Sequence, residues 1–171
     1  MSQNLTSVAR RAAVPVLVAC VLVAGFARAA STPLLEVSGA IHTQFALGAA
    51  DLATLPRAKV SVADEHGSRV VYEGVPARDI LQRAGAPLGK DLRGPNMTMC
   101  VVAGGSDGYQ VVFALAEFDP GFSDQVILVA DHRGGQPLNS REGPLRLIVP
   151  GDKRLARWVR GLTTLRLKNE R

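Results

Sequence analysis

The sequence has little cysteine and little histidine. Among its 171 residues are two cysteines and three histidines. Cys20 lies in an N-terminal apolar run, so the chain beyond that run has a single thiol, Cys100, and no means of forming an internal disulfide. The histidines lack the spacing of a metal site. These histidines are His42, His66 and His132. We therefore expect a domain that is stabilised by its hydrophobic core and has no metal centre built from protein ligands alone.

Long apolar runs are also missing, apart from one at the N-terminus. Arg10 and Arg11 precede the apolar stretch 12–26, and Ala27-Arg28-Ala29 follows it. A positive start, an apolar centre and small residues before a cleavage position are typical of a secretory signal peptide. We expect residues 1–29 to be this signal and residues 30–171 to be the mature domain. The protein would then be periplasmic or secreted, with no membrane span after cleavage.

The same segment leaves two alternatives open. Leu17-Val18-Ala19-Cys20 fits a lipoprotein processing box, which would make Cys20 a lipid-modified N-terminus. Arg10-Arg11 is compatible with twin-arginine export as well as with the general secretory route. The sequence does not decide between these routes.

The positive charge is concentrated in the predicted signal. The formal net charge is +5, but Arg10, Arg11 and Arg28 lie in residues 1–29, a segment without acidic residues. The mature domain is therefore close to electrical balance, which argues against nucleic-acid binding driven by overall charge. An anionic partner would have to be attracted by a local cluster of cations.

Short alternating or apolar segments predict many strands and few helices. Residues 59–63 alternate and predict a half-buried strand, and residues 69–73 predict its partner. Val75-Pro76 opens a predicted helix over 77–83, which ends at Gly85. Together the segments predict an α+β fold, a β-rich single domain with a few short helices. The other predicted strands cover 34–39, 97–103, 109–115, 125–130, 145–149 and 162–167, and another short helix covers 48–55.

Arg146 is the first candidate for a ligand-binding residue. It interrupts the apolar strand 145–149, and a buried guanidinium needs an anion or a carboxylate beside it. The alternative is a half-exposed strand on which Arg146 and Ile148 face solvent and their neighbours face the core. The sequence is consistent with both orientations.

A cluster of cations follows that strand and surrounds the only tryptophan, Trp158. Lys153, Arg154, Arg157 and Arg160 form either a cationic rim for an anionic ligand or a solvated helix face anchored by Trp158. The glycine in Asp107-Gly108-Tyr109 permits a tight turn that presents the tyrosine to a pocket or packs it on the sheet. Cys100, among apolar neighbours, is predicted to be a buried and unreactive thiol. The predicted ligand- or cofactor-binding residues are Tyr109, Arg146, Lys153, Arg154 and Arg157.

Four motifs occur in order along the predicted domain. They are Tyr72-Glu73-Gly74-Val75-Pro76 with Asp79-Ile80-Leu81, Asp107-Gly108-Tyr109, Val129-Ala130 with Gly135-Gln136-Pro137-Leu138, and the segment Gly143 to Trp158. In this order they resemble the oxidoreductase molybdopterin-binding domain of the sulfite oxidase family. The resemblance implies that family's β-rich fold, a molybdopterin cofactor, and oxygen-atom transfer between water and a small sulfur substrate.

The resemblance also implies a metal-ligating cysteine that this sequence lacks. In the family, that cysteine follows the first alternating strand, where this chain has Ala63 or Asp64. Neither residue supplies the soft sulfur ligand that suits molybdenum. The family's His-Gly before the Pro-Leu-Arg strand is replaced by Glu142-Gly143.

These departures predict a short relative that binds a small anionic ligand or cofactor. They leave undecided whether the chain is an enzyme, because the metal that would carry the chemistry has lost its protein ligand. The alternative function is a non-enzymatic envelope module, sensory or accessory, that binds a protein partner.

Overall fold

The fold is that of a computed structural model, which describes residues 32–63 and 67–170. The predicted signal 1–29, with Cys20, and residue Asp64 lie outside the described residues. Within the described part, no helix is long and apolar enough to cross a membrane.

Strands dominate the described chain, and its helices are short. The elements follow in this order: β1 (Leu35–Gly39), β2 (Phe45–Leu47), α1 (Ala49–Ala53), β3 (Ala58–Ala63), β4 (Arg69–Pro76), α2 (Ala77–Arg83), β5 (Met99–Gly105), β6 (Gln110–Ala114), β7 (Leu128–Arg133), β8 (Gln136–Pro137), β9 (Arg146–Ile148) and β10 (Leu162–Asn169).

The strands form two sheets. The first sheet has the order β2-β1-β10-β5-β6, and the second has the order β3-β4-β7-β8 with β9 paired to β7. In the first sheet β10 pairs with both β1 and β5 and therefore lies between them. It runs parallel to β1. Buried residues of both sheets belong to one hydrophobic cluster, to which α2 adds Ile80 and Leu81. The α+β, β-rich prediction is confirmed.

The strand β9 rules out one of the two orientations open for Arg146, the one in which Arg146 and Ile148 face solvent. Arg146 is 3% exposed and Ile148 is fully buried, as are their inward-facing neighbours. The strand pairs with β7 on one side, and Arg146 forms an isolated bridge with Arg160 on the other. Because β9 is covered on both faces, it has no solvent-facing side for a charged residue, and Arg146 must find its partners inside the protein.

The cation-rich segment is not the helix that one of its two alternatives required. It forms a turn at residues 150–151 and a single 3₁₀ turn, Leu155–Arg157. Trp158 then enters the core, where its indole N–H donates to the Val149 carbonyl at 3.0 Å and its ring meets Tyr72 edge-on. The backbone around the cations is therefore a loop anchored by one aromatic residue.

Candidate functional site

A cavity of about 770 Å³ lies where four separate parts of the fold meet. The parts are the end of β3, the turn between β5 and β6, the strand β9, and the loop 150–160 after β9. The lining residues are Val62, Ala63, Asp107, Tyr109, Arg146, Pro150, Asp152, Lys153, Arg154, Leu155, Ala156, Trp158 and Arg160. Four of the five predicted ligand-binding residues are thus brought together, and Arg157 is not among the lining residues.

The turn between β5 and β6 carries Tyr109 to the cavity. Gly108 has a φ of +84°, a conformation that favours glycine, and the Asp107 carboxylate accepts the Tyr109 backbone N–H at 2.9 Å. The Tyr109 hydroxyl then donates to the Ala156 carbonyl at 2.7 Å. Tyr109 therefore links the hairpin turn on one side of the cavity to the loop on the other side.

Arg146 reaches the cavity from the buried strand β9, and its charge already has a partner. Its Nη1 donates to the carboxylate of Glu142, a residue that is 8% exposed. The same Nη1 lies 3.2 Å from the Tyr72 hydroxyl. The guanidinium carbon also lies 5.4 Å from the centre of the Trp158 ring. The Arg146 charge is therefore largely neutralised by an internal carboxylate, and it shapes the wall of the cavity more than it attracts an anion.

Lys153 and Arg154 are the cations best placed to bind an anion. Both are exposed, both line the cavity, and neither has an ion-pair partner within residues 32–63 and 67–170. Asp107 and Asp152 are the carboxylates in the same lining. The cavity is therefore polar and of mixed charge, with its available positive charge concentrated at one rim.

Arg157 lies outside the cavity lining and is paired with two carboxylates. Its Nε and Nη2 donate to Asp152 at 2.9 and 2.6 Å, and its Nη1 donates to Glu117 at 2.9 Å. The guanidinium also lies over the ring of Phe113, 4.7 Å from its centre. These hydrogen bonds raise the pKa of Arg157 above its usual range.

The donor atoms of this cavity do not suit a molybdenum centre. The resemblance implies a metal-ligating position at Ala63 or Asp64, and Ala63 lines the cavity with a methyl group. No sulfur atom is part of the lining, and the described residues contain no group of three or more His, Cys, Asp or Glu side chains able to hold a metal. The residues therefore do not fit the metal part of the family's cofactor.

Cys100 lies on β5, outside the cavity lining, and cannot replace the missing ligand. It is half-buried, where the sequence predicted a buried thiol, because burial alternates along β5 and Cys100 lies on the less buried face of that strand. Its thiol lies 4.0 Å from the carboxylate of Glu170. Partial burial and that carboxylate raise the pKa of the thiol, which keeps it protonated and poorly nucleophilic.

Asp152 lines the cavity although it is not among the residues predicted from the sequence. The ion pair between Glu142 and Arg146 is likewise absent from the sequence predictions. A carboxylate directly before a run of cations was the available signal for Asp152. The bond between Glu142 and Arg146 had no comparable signal, because the loop geometry between them decides whether the two side chains meet.

The chain matches a protein-family model and is similar to a solved structure. The family model described as "Oxidoreductase molybdopterin binding domain" matches residues 27–171. Among solved structures, the sulfane dehydrogenase SoxCD from Paracoccus pantotrophus is similar, with a TM-score of 0.62 and 20% sequence identity. The match covers 80% of this chain but only 38% of that one, and the likeness shows a shared fold. No curated protein gives a significant sequence match.

Proposed function

Because the chain belongs to the oxidoreductase molybdopterin binding domain family, which is sulfite oxidase-like, we propose that its cavity binds a small anionic ligand. This ligand is of the pterin phosphate class and binds without a metal. The membership confirms the resemblance read from the four sequence motifs. The proposed ligand is the part of molybdopterin that this cavity can still accommodate, a heterocycle with a phosphate. It does not depend on the thiolate that the chain lacks.

The observation that carries the proposal is the composition of the cavity wall. Ala63 contributes a methyl group, while Lys153 and Arg154 contribute exposed positive charge to the same cavity. Loss of the sulfur ligand removes the basis for metal chemistry. Retention of two exposed cations at the rim keeps a basis for binding phosphate oxygens. The combination favours a binding protein over a metal-dependent oxidoreductase.

Each residue of the cavity would have its own role in binding. Lys153 and Arg154 would hold the phosphate at the rim. Tyr109 would keep the hairpin turn and the loop in register through its bond to Ala156, and Trp158 would form part of the wall against which the ring lies. With the predicted signal 1–29, binding would take place in the periplasm or outside the cell. The alternative of an accessory module that binds a protein partner stays a prediction.

A fluorescence titration tests the proposal. Trp158 is the only tryptophan and lines the cavity, and pterins absorb light in the range where tryptophan emits. Adding 6-hydroxymethylpterin phosphate, a metal-free pterin phosphate, should quench Trp158 emission saturably, with one ligand per chain. Isothermal titration calorimetry should give the same stoichiometry.

The matched control is 6-hydroxymethylpterin without the phosphate, which should bind more weakly because it cannot engage the cationic rim. Absence of binding by either method would overturn the proposal. Equal affinity for the two compounds would overturn the role given to Lys153 and Arg154.

A further inference from the structure

The carboxylate of Asp152 is out of place in a cavity that binds an anion. Asp152 lines the cavity next in sequence to the rim cations, and its side chain is 15% exposed. An unpaired carboxylate there would repel a phosphate and would pair with the cations that should bind it. Something must neutralise this charge if the cavity is to accept an anion.

Arg157 supplies that neutralisation from outside the lining. It forms a two-pronged pair with both oxygens of Asp152, in which Nε and Nη2 donate at 2.9 and 2.6 Å. This fork geometry is specific to arginine and occupies the carboxylate more completely than a lysine would. The Asp152 carboxylate is therefore tied to Arg157 and is unavailable to Lys153 and Arg154.

Arg157 is itself fixed from the other side. Its Nη1 donates to Glu117, and Glu117 also accepts the backbone N–H of Ala114 at the end of β6. The ring of Phe113, a fully buried residue of β6, lies under the guanidinium. The pair with Asp152 is thus anchored to the first sheet and does not depend on the ligand.

From these contacts we propose that Arg157 is a positioning residue for anion binding: it acts through Asp152, which it holds neutralised and fixed at the cavity wall, and does not touch the ligand. The inference rests on the proposed function, because it concerns affinity at the same cavity. It assigns a role to Arg157 different from the direct ligand contact expected from the sequence. It also explains why Asp152, one of the two carboxylates in the lining, does not oppose binding of a negatively charged ligand.

A set of three variants tests the role of Arg157, with 6-hydroxymethylpterin phosphate as the probe and Trp158 quenching as the readout. Arg157→Gln should weaken binding about fivefold, the upper end of the range for one partly exposed charge interaction. Adding Asp152→Asn to that variant should restore the affinity to within about threefold of the wild type, because the repelling carboxylate is gone. Asp152→Asn alone should bind as well as the wild type or better. Arg166→Gln on β10, an exposed arginine outside the cavity lining, is the control for loss of one positive charge.

The outcomes separate this inference from the proposed function. A wild-type protein that does not bind the probe overturns the proposed function and, with it, the role of Arg157. If the wild type binds, an equal loss in Arg157→Gln and in the double variant means that Arg157 contacts the ligand or merely supports the fold, and the inference is wrong. Should Arg157→Gln fail to fold, Asp152→Asn alone decides, because weaker binding by that variant contradicts a carboxylate that opposes the anion.

Discussion

Replacing Glu142 with alanine should lower the free energy of unfolding by about 3–5 kcal/mol, the loss expected when one partner of a buried ion pair is removed. Glu142 accepts a hydrogen bond from Arg146, and the two residues are 8% and 3% exposed. Without the carboxylate, the guanidinium would stay enclosed between the rings of Tyr72 and Trp158. Cation–π contacts of about 0.5–2 kcal/mol compensate only part of that loss.

Urea unfolding followed by Trp158 fluorescence measures this effect. The matched control is Glu36→Ala on β1, an exposed glutamate whose loss should change the stability by no more than about 0.5 kcal/mol. The double variant Glu142→Leu with Arg146→Met should be more stable than Glu142→Ala, because it leaves no unpaired charge in the interior. A Glu142→Ala variant as stable as the control would contradict the buried ion pair.

Removing both rim cations, in the variant Lys153→Ala with Arg154→Ala, should weaken the binding of 6-hydroxymethylpterin phosphate about 100-fold, or about 2.7 kcal/mol. Each side chain is exposed at the cavity and has no ion-pair partner in the described part of the chain, so each can give the phosphate a charge-assisted hydrogen bond. Stability should hardly change, because neither side chain is packed in the core. The salt dependence of binding should also become shallower, since fewer charges take part.

The control for this variant removes the same total charge elsewhere. Lys90→Ala with Arg93→Ala changes two exposed cations that are not part of the cavity lining, and its affinity should match that of the wild type. If both double variants lost affinity equally, the binding would depend on overall charge, and the assignment of Lys153 and Arg154 to the phosphate would be wrong.

Local sequence signals were sufficient for much of the fold. The helix predicted over 77–83 is α2 with the same bounds, because Pro76 opens it and Gly85, with a φ of +79°, follows its end. The alternation of residues 59–63 predicts a half-buried strand, and β3 alternates in burial with Val62 buried. The strand β2 was missed because three residues give too short a pattern, and only pairing with β1 defines it.

Contacts between distant parts of the chain were beyond the reach of these signals. Nothing local shows that β9 is covered on both faces, and this coverage turns Arg146 into an internal ion-pair partner. In the same way, the cations next to Arg157 in the sequence predict a ligand contact for it. Glu117, forty residues earlier, captures it in the folded protein. The sequence shows where the cations are. Tertiary structure decides which of these cations face the cavity and which are already paired with carboxylates.

Elemental analysis decides whether this family member keeps the cavity without the metal site. The chain should be produced in cells that are supplied with molybdate and make the cofactor, beside a family member that retains the cysteine. Molybdenum should then be measured per chain in both purified proteins. We expect molybdenum in the second protein and none above background in the chain with Ala63. One molybdenum atom per chain in the latter would contradict this expectation.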